Sequence, residues 1–550
     1  MRRMMTAIAV LAMLGGCRQV IGYQAPTLID GGGGASSTSG SGGSSAGCHA
    51  SSPCYSGPVG TEGVGICKAG TTTCKPNGAV AACVGEVTPL VENCASGKDQ
   101  NCDGTVSKCA GTLRWANRFG HAGAYAVAVD GMGATVITGS ADPMANLGGG
   151  PLVNGGPVVA KYDTTGTPIF SQTVPVSDKI HSGMSAVAAD LAGNTFLTGS
   201  LVGTIDFGGG PITNNAVIQE VPFLAKLGPN GAQVFSKVLE LGVEAGAYAL
   251  AVDGTGDIVV AGYAGASADF GGGPIGSGGG IDVFVAKFDP KGKHLASASF
   301  GGNGDARGQS VGIDATGNIV VVGAFQGTVN FGSTALTSGG GDAFVLRLSP
   351  TMKVLYAEKL GSGVVINNPG IMGYGSNLAV AVDPPGNAII TGSFAGLLSL
   401  DAAMLLTTDD AGAKADAFFV KIDPLGKPVW AHRFGGTASQ QATSIAVDAT
   451  GNVVAAGLYS GILNCGSQCT SSNVTGTNAY AVKRNGIDGT EIWMQFIGEP
   501  TTAVGSAVVA VSAMGDLSLA GSVQGPLSFG GMNLPAPSGA TDLYLAMFAR

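Results

Sequence analysis

Residues 444–452 read SIAVDATGN, a short apolar run that ends in an Asp-x-x-Gly-Asn turn, and the chain repeats this phrase. Its relatives are VDGMGA at Asp130, ADLAGN at Asp190, VDGTGD at Asp253, IDATGN at Asp314, VDPPGN at Asp383 and VSAMGD at Ser512. With Asp448 that makes seven copies, spaced 60 to 69 residues apart. A fixed period of this size marks a repeat architecture in which each unit is one supersecondary piece.

Every unit has the same internal order. After the turn comes a β-branched run such as NIVVVGAF (Asn318–Phe325), then a long Gly-rich loop, then an alternating segment such as DVFVAKFDP (Asp282–Pro290), DAFVLRLSP (Asp342–Pro350) or DAFFVKIDP (Asp416–Pro424). A Pro-x-Gly-type turn leads to a fourth run, KPVWAHRFG (Lys427–Gly435). Short Val-, Ile- and aromatic-rich runs bounded by Gly, Pro, Asn and Asp are strands, and alternation as in Phe344, Leu346 and Leu348 puts one face in a core. Four strands per unit and seven units predict an all-β fold, a seven-bladed β-propeller. The seventh unit stops after its third strand, DLYLAMFAR (Asp542–Arg550), and the missing fourth stands ahead of unit one as TLRWANRFG (Thr112–Gly120). That N-terminal strand is expected to close the ring and leave no open sheet edge. Trp115, Trp430 and Trp493 fall at one register of the fourth strand, with Phe170, Phe235 and Tyr356 in other units and Ala296 as the exception. An aromatic recurring at one register is expected to pack between neighbouring blades.

The pattern AVDxxGN…VxG…DxFVxKxDPxG…WxxxFG resembles the bacterial seven-bladed propeller repeats (SBBP repeats) of secreted proteins, over roughly residues 112–550. The resemblance implies the fold and no particular activity.

The N-terminus reads as a processing signal over residues 1–16. Arg2 and Arg3 precede an apolar stretch, Thr6–Leu14, too short to span a membrane. It ends in Leu-Gly-Gly-Cys17, which resembles a lipobox; the resemblance implies acylation of Cys17, and Arg18 after it favours the outer membrane. An acylated Cys bears more than one chain, the condition for stable anchoring. Residues 17–47, rich in Gly and Ser, form a flexible tether of roughly 30 Å r.m.s. span. The net charge is −9, and there is no basic run after residue 3, which argues against nucleic-acid binding.

Cysteines are unevenly placed. Cys48, Cys54, Cys67, Cys74, Cys83, Cys94, Cys102 and Cys109 crowd residues 48–110, and Cys465 and Cys469 lie four residues apart in unit six. An even number in an exported chain predicts disulfides, with the pairing of the eight left open. A segment this short and this poor in apolar residues needs such staples. CYSGPVGTEGVGICKAGTTTC (Cys54–Cys74) and CVGEVTP (Cys83–Pro89) resemble the Cys-rich metal-binding-motif domain of secreted bacterial proteins. Asp99, Asn101 and Asp103 offer side-chain oxygens at alternate positions before Gly104, with a carbonyl at Thr105, a pattern suited to Ca²⁺. The motif lacks a bidentate Glu, Ala110 standing at its twelfth position, so a weak Ca²⁺ site and a purely structural turn both remain open.

Repetition is its own control on function. The turn Asp, the Asp before the third strand (Asp282, Asp342, Asp416, Asp542) and the Lys or Arg within that strand recur, and are expected to be structural. The FGGG-type segments at Phe207, Phe270 and Phe529 recur too, their glycines pointing to close backbone approach. Function is expected where units differ. The first and third connections are tight, whereas Asn214–Pro222, Gly361–Asn377, Thr407–Ala415 and Cys465–Asn478 are long and variable, so one face is trimmed and the other elaborated. Of the five histidines, His121 and His181 fall on the elaborated face with Asp178 near in sequence, but no HxH, HExxH, GxSxG or paired-carboxylate motif supports catalysis. No catalytic residue is assigned. The sequence predicts a monomeric, non-enzymatic, lipid-anchored envelope protein, periplasmic or surface-exposed, that binds a glycan or another envelope protein through one propeller face. The alternatives are a propeller lyase or hydrolase, or a metal-binding surface protein acting through its Cys-rich module.

Overall fold

A computed structural model describes residues 52–89 apart from 59 and 76–79, and residues 111–550 apart from 179–181, 216–218, 241–242, 266, 277–278, 362–377, 401–403, 409–413, 437, 467–468, 472–473, 530–531 and 536–540. The chain divides into two compact units. Every regular element among the described residues is a strand.

The small unit holds a three-stranded antiparallel sheet of Pro53–Cys54, Gly70–Cys74 and Val80–Val84. Cys54 and Cys83 are joined by a disulfide across a separation of 29 residues. Closing a loop of that length is worth roughly 3.6 kcal/mol in the chain-entropy picture. Cys67 and Cys74 are disulfide-bonded as well. Cys48, Cys94, Cys102 and Cys109, and the Asp99, Asn101, Asp103 and Thr105 loop, lie outside the described residues, as does Cys17. The side chains of Cys465 and Cys469 do too.

In the large unit the strand pairings fall, among the described residues, into seven four-stranded antiparallel meanders. The first is Ala122–Val129, Thr135–Ala141, Gly156–Tyr162 and Pro168–Thr173. The last combines Ala503–Val511, Leu517–Gln524 and Asp542–Phe548 with Leu113–Gly120 from the other end of the chain. Across this seam Gly111 N–H donates to the Ala549 carbonyl at 2.8 Å and Ala549 N–H to the Thr112 carbonyl at 2.7 Å, so two chain ends complete one hairpin. The Ser506 hydroxyl donates to the Ala124 carbonyl at 2.9 Å, joining the innermost strands of the last and first meanders. The first strands of all seven line one axial channel. This is a β-propeller.

The recurring residues hold the ring in three ways. The turn Asp uses one oxygen as a cap: Asp130 Oδ1 accepts from the backbone of Met132 and Ala134. Its other oxygen meets the cation of the third strand: Lys161–Asp130 at 2.8 Å, Lys421–Asp383 at 2.8 Å, Lys483–Asp448 at 2.9 Å, and Arg347–Asp314. Those cations also reach the next meander, where Lys161 donates to the Gly193 carbonyl and Arg347 to the Gly386 carbonyl. In unit seven Ser512 and Met547 replace both partners together. Secondly, the Asp that opens the third strand takes a cation from the fourth: Arg118–Asp542 at 2.8 Å, Arg433–Asp416 at 3.0 Å and Lys359–Asp342 at 3.2 Å. Thirdly, each aromatic of the fourth strand covers a turn glycine of the next meander. A Cβ added to Gly166 would come within 2.8 Å of the Trp115 ring, and one added to Gly111 within 2.7 Å of Trp493.

The expected long loop between second and third strands is absent from unit four. Ile319–Phe331 and Thr334–Leu348 run on as one hairpin, paired from Ile319↔Leu348 to Phe331↔Thr334 and turning at Gly332. The Thr328 and Thr337 hydroxyls meet across this hairpin at 3.0 Å, and Phe331 is buried against Phe344 at 4.9 Å between ring centroids. Phe207, Phe270 and Phe529 are likewise buried. These hairpins clasp the preceding meander: Gly301 pairs with Asn330, Gly435 with Asn464 and Ile497 with Phe529. Part of the elaborated face therefore serves the ring itself.

Candidate binding site on the propeller axis

The innermost strands run from the elaborated face to the trimmed face, and most carry a β-bulge at the same place, five residues before the turn Asp. The bulged residues are Tyr125, Ser185, Tyr248, Gln309 and Thr443. The cause lies in the second strand, whose glycine sits opposite. A Cβ on Gly139, Gly199, Gly262, Gly323 or Gly457 would lie about 2 Å from a carbonyl oxygen of the first strand, so glycine alone permits the approach. A bulge adds a residue, bends the strand and re-aims its side chain. Here it turns residues that differ from unit to unit towards the axis, in the half of each strand nearer the elaborated face.

The channel encloses about 330 Å³, and Tyr125, Ser185, Tyr248, Gln309, Leu378 and Thr443 line it. Val127, Val187, Leu250, Val311, Ile445 and Val509 line it two residues further along, nearer the trimmed face. The site is thus a polar, aromatic rim over an aliphatic wall. Tyr125 is 55% exposed, its hydroxyl 2.6 Å from that of Ser140. The Gln309 Oε1 is buried and has no hydrogen-bond partner among the described residues. The Ser310 hydroxyl accepts from Val380 N–H and that of Ser444 from Val509 N–H, both linking to a neighbouring inner strand. They are ring stitches rather than free groups.

One sector departs most from the repeat. Arg307 stands where Gly123, Gly183 and Gly246 stand in units one to three, and Tyr263 where Ser140 and Ser200 stand in units one and two. The Arg307 guanidinium lies 4.1 Å from the centre of the Tyr263 ring, and its Nη1 is 3.4 Å from the Tyr248 hydroxyl. The Tyr248 and Tyr263 rings are 5.3 Å apart. Tyr263 Oη donates towards Glu220 Oε2 at 3.4 Å. Burial pushes the Tyr248 phenol up, and Arg307 partly opposes it. Burial pushes Tyr263 up further, reinforced by Tyr248 and by the carboxylate of Glu220. Both phenols are hydrogen-bonding groups in the neutral form at physiological pH. With their pKa raised, these phenols resist deprotonation and are available for hydrogen bonding.

His121 and Asp178, singled out by sequence, do not line the channel. His121, at φ 60°, has Nδ1 3.5 Å from Asp142 Oδ2, and both side chains are more than half exposed. Neither lines the channel. Asp178 is described, but His181 lies outside the described residues, as do residues 216–218, 362–377, 409–413, 467–468 and 472–473 of the variable loops. The only sequence signal of the axial site is a lack of repetition at one register: Tyr, Ser, Tyr, Gln, Leu, Thr and Ala at 125, 185, 248, 309, 378, 443 and 507.

No protein-family model matches the chain. Over 116 residues it is 27% identical to an uncharacterized WD repeat-containing protein of Acanthamoeba polyphaga mimivirus, a stretch that is 19% of this chain and 8% of that protein. Among solved structures it is similar to the polysaccharide lyase Uly1, with 12% identity and a TM-score of 0.41 over 78% of this chain and 90% of the lyase. It is similar to the Dos1 propeller, with 12% identity and a TM-score of 0.35 over 80% and 95% of the two chains. A protein of unknown function from Bacteroides caccae matches with 11% identity and a TM-score of 0.31 over 61% and 89%. These are likenesses of architecture and carry no chemistry across.

Proposed function

We propose that this protein is a non-enzymatic binding or scaffolding module of the cell envelope, held to the membrane through acylated Cys17, that engages a glycan or another envelope component through the elaborated face of its propeller. One observation supports the reading above others. The bulges present non-repeating polar and aromatic side chains at the end of the channel that opens towards that face, while the recurring charges are consumed in pairs within the ring. A rigid scaffold with variable groups at one end is how binding sites are commonly built.

The test is recovery of envelope glycan and protein fractions on the immobilised full-length mature chain, beside a variant whose Gly361–Asn377 and Cys465–Asn478 loops are shortened. Reduced recovery by the variant supports the elaborated face as the contact surface, and equal recovery rejects it. Incorporation of labelled fatty acid by the wild type and not by Cys17→Ala tests the anchor.

A further inference from the structure

The chemistry of the axial rim narrows what it can hold. Resting on the binding role proposed above, we infer that the pocket takes the uncharged end of a saccharide, entering along the axis between Tyr125 and Tyr248 and hydrogen-bonded by Gln309. Four features of the site converge on this class of ligand.

The first is the makeup of the rim. None of the seven bulge-register positions bears a charge, and two are tyrosines. An aromatic face covers the C–H side of a sugar ring while amides and hydroxyls meet its edge, which is the combination a neutral polyol needs. The second is Gln309 Oε1, a buried acceptor without a partner among the described residues. A buried polar atom left unpaired costs free energy of the order of 1–3 kcal/mol. A ligand hydroxyl that donates to it removes that cost, and an aliphatic ligand does not.

The third is charge. Arg307, two residues before Gln309 on the same strand, already stacks on Tyr263 and is 7% exposed. Two carboxylates, Glu220 and the exposed Glu244, lie close enough to the same Tyr263 to push its phenol up. These three groups sum to one negative charge, in a chain whose net charge is −9. A uronate or sulfate ester approaching this mouth meets carboxylates and a committed guanidinium, and like charges in a desolvated site are strongly unfavourable. The fourth is size. A volume of about 330 Å³ lies at the small end for ligand pockets, roughly 300–1,000 Å³. With Val127, Val187 and Leu250 lining the deeper wall, the site suits a chain end and not a polymer threaded through the ring.

The experiment uses the full-length mature protein with its Cys-rich module. Saturation-transfer NMR and calorimetry are run with cellotriose and maltotriose as neutral probes and trigalacturonate as the acidic one. Binding of a neutral trimer, with saturation concentrated on its terminal residue, and at least tenfold weaker binding of trigalacturonate is the expected result. Gln309→Ala and Tyr125→Ala are expected to lower neutral-trimer affinity about tenfold each, with thermal midpoints showing that each variant folds. Tighter binding of trigalacturonate than of the neutral trimers overturns the charge argument. Binding unaffected by both variants overturns the pocket assignment. If no trimer binds while the shortened-loop variant still loses envelope fractions, the inference fails and the broader binding role stands. If loop shortening changes nothing but the neutral trimer binds in the pocket, the reverse holds.

Discussion

Met352 occupies, at φ 64°, the turn position that glycine holds in neighbouring units, and it shares one hydrophobic cluster with Ala296, the single member of the fourth-strand aromatic column that has no ring. The two departures belong together. Elsewhere an aromatic lies on a bare glycine of the next meander, as Phe235 lies on Gly292 and Tyr356 on Gly426. Here the ring is gone from one side and a side chain fills the space from the other. A left-handed conformation at a residue with a Cβ costs about 1–3 kcal/mol and persists only where the surroundings hold it. Ala296→Phe alone is therefore expected to destabilise the propeller by roughly 1–3 kcal/mol through overpacking. Met352→Gly alone empties part of the cluster. The double substitution restores the column used by the other units, and its loss should be smaller than the sum of the singles by more than about 1 kcal/mol. A double-mutant cycle from denaturant titrations measures this, and additivity within about 0.5 kcal/mol would sink the idea.

The buried pair of Asp314 and Arg347 has an internal precedent for its own removal. Arg347 is 2% exposed and also holds the Gly386 carbonyl of the next meander. Unit seven keeps neither charge, using Ser512 and Met547 at the two positions. Breaking a buried pair leaves one charge uncompensated, at a cost of roughly 3–5 kcal/mol, whereas apolar replacement of both is often near neutral. Arg347→Met is expected to fall in the costly range. Asp314→Ser combined with Arg347→Met should recover at least half of that loss. Thermal and chemical unfolding of the two variants decides the matter, and a double variant less stable than Arg347→Met would count against it.

The seam between the chain ends carries its own lock. Arg118, with 3% of its side chain exposed, meets Asp542 at 2.8 Å and donates to the Gly525 carbonyl at 2.8 Å and the Leu534 carbonyl at 3.2 Å. Without residues 112–120, Asp542–Phe548 becomes an open apolar edge strand, a template for pairing with another chain. Deletion of 112–120 is expected to raise the oligomeric state above that of the wild type in size-exclusion chromatography with light scattering. Arg118→Ala should lower stability by about 3–5 kcal/mol without that shift. A deletion variant with the oligomeric state of the wild type would show that the seam strand is dispensable for closure.

The all-β class, the four-strand unit and the strand that closes the ring were legible because each rests on local pattern repeated along the chain. VDxxGN fixes a turn, alternation fixes a face, and the match of Thr112–Gly120 to Lys427–Gly435 fixes the partner of Asp542–Phe548. The recurring Asp and Lys or Arg were structural, the turn Asp having two tasks, capping and ion pairing, because its partner lies in a strand far along the sequence. The FGGG glycines serve positive-φ turns rather than close backbone approach, since a Cβ on Gly208, Gly210 or Gly273 would meet nothing within 4 Å. The axial site was not legible from motif. A bulge arises from the pairing of two strands, and Arg307 meets Tyr263 and Tyr248 only because adjacent meanders wrap around one axis. His121 drew attention as a histidine on the elaborated face, yet its neighbour is the exposed Asp142 of its own unit.

Acidification is expected to weaken the propeller in two stages. His294 and His432 both sit below the usual histidine value, chiefly through burial; for His294 the nearby Lys237 adds to it, and for His432 the Asp488 carbonyl, 2.9 Å from Nε2, works against it. Each ring thus stays neutral in the fold while the unfolded chain takes up a proton near pH 6.5. Their contribution is complete above that pH and is lost as pH falls towards the lower folded values, because the unfolded state binds protons first. In the second stage the turn carboxylates of Asp314 and Asp448 protonate. Burial alone would raise them, but hydrogen bonds from Thr316 and Asn318 to Asp314, and from Thr450 and Lys483 to Asp448, outweigh it and hold both below the usual carboxylate range. Stability from these groups is present above about pH 4 and disappears as pH drops through their folded values. Chemical unfolding at stepped pH should show a first decline beginning near 6.5, flattened in a His294→Gln, His432→Gln double variant, and a steeper one below about 4 that the double variant keeps. NMR titration midpoints for His294 and His432 at or above the unfolded value would remove the first stage, and a stability profile flat from pH 7 to 3 would remove both.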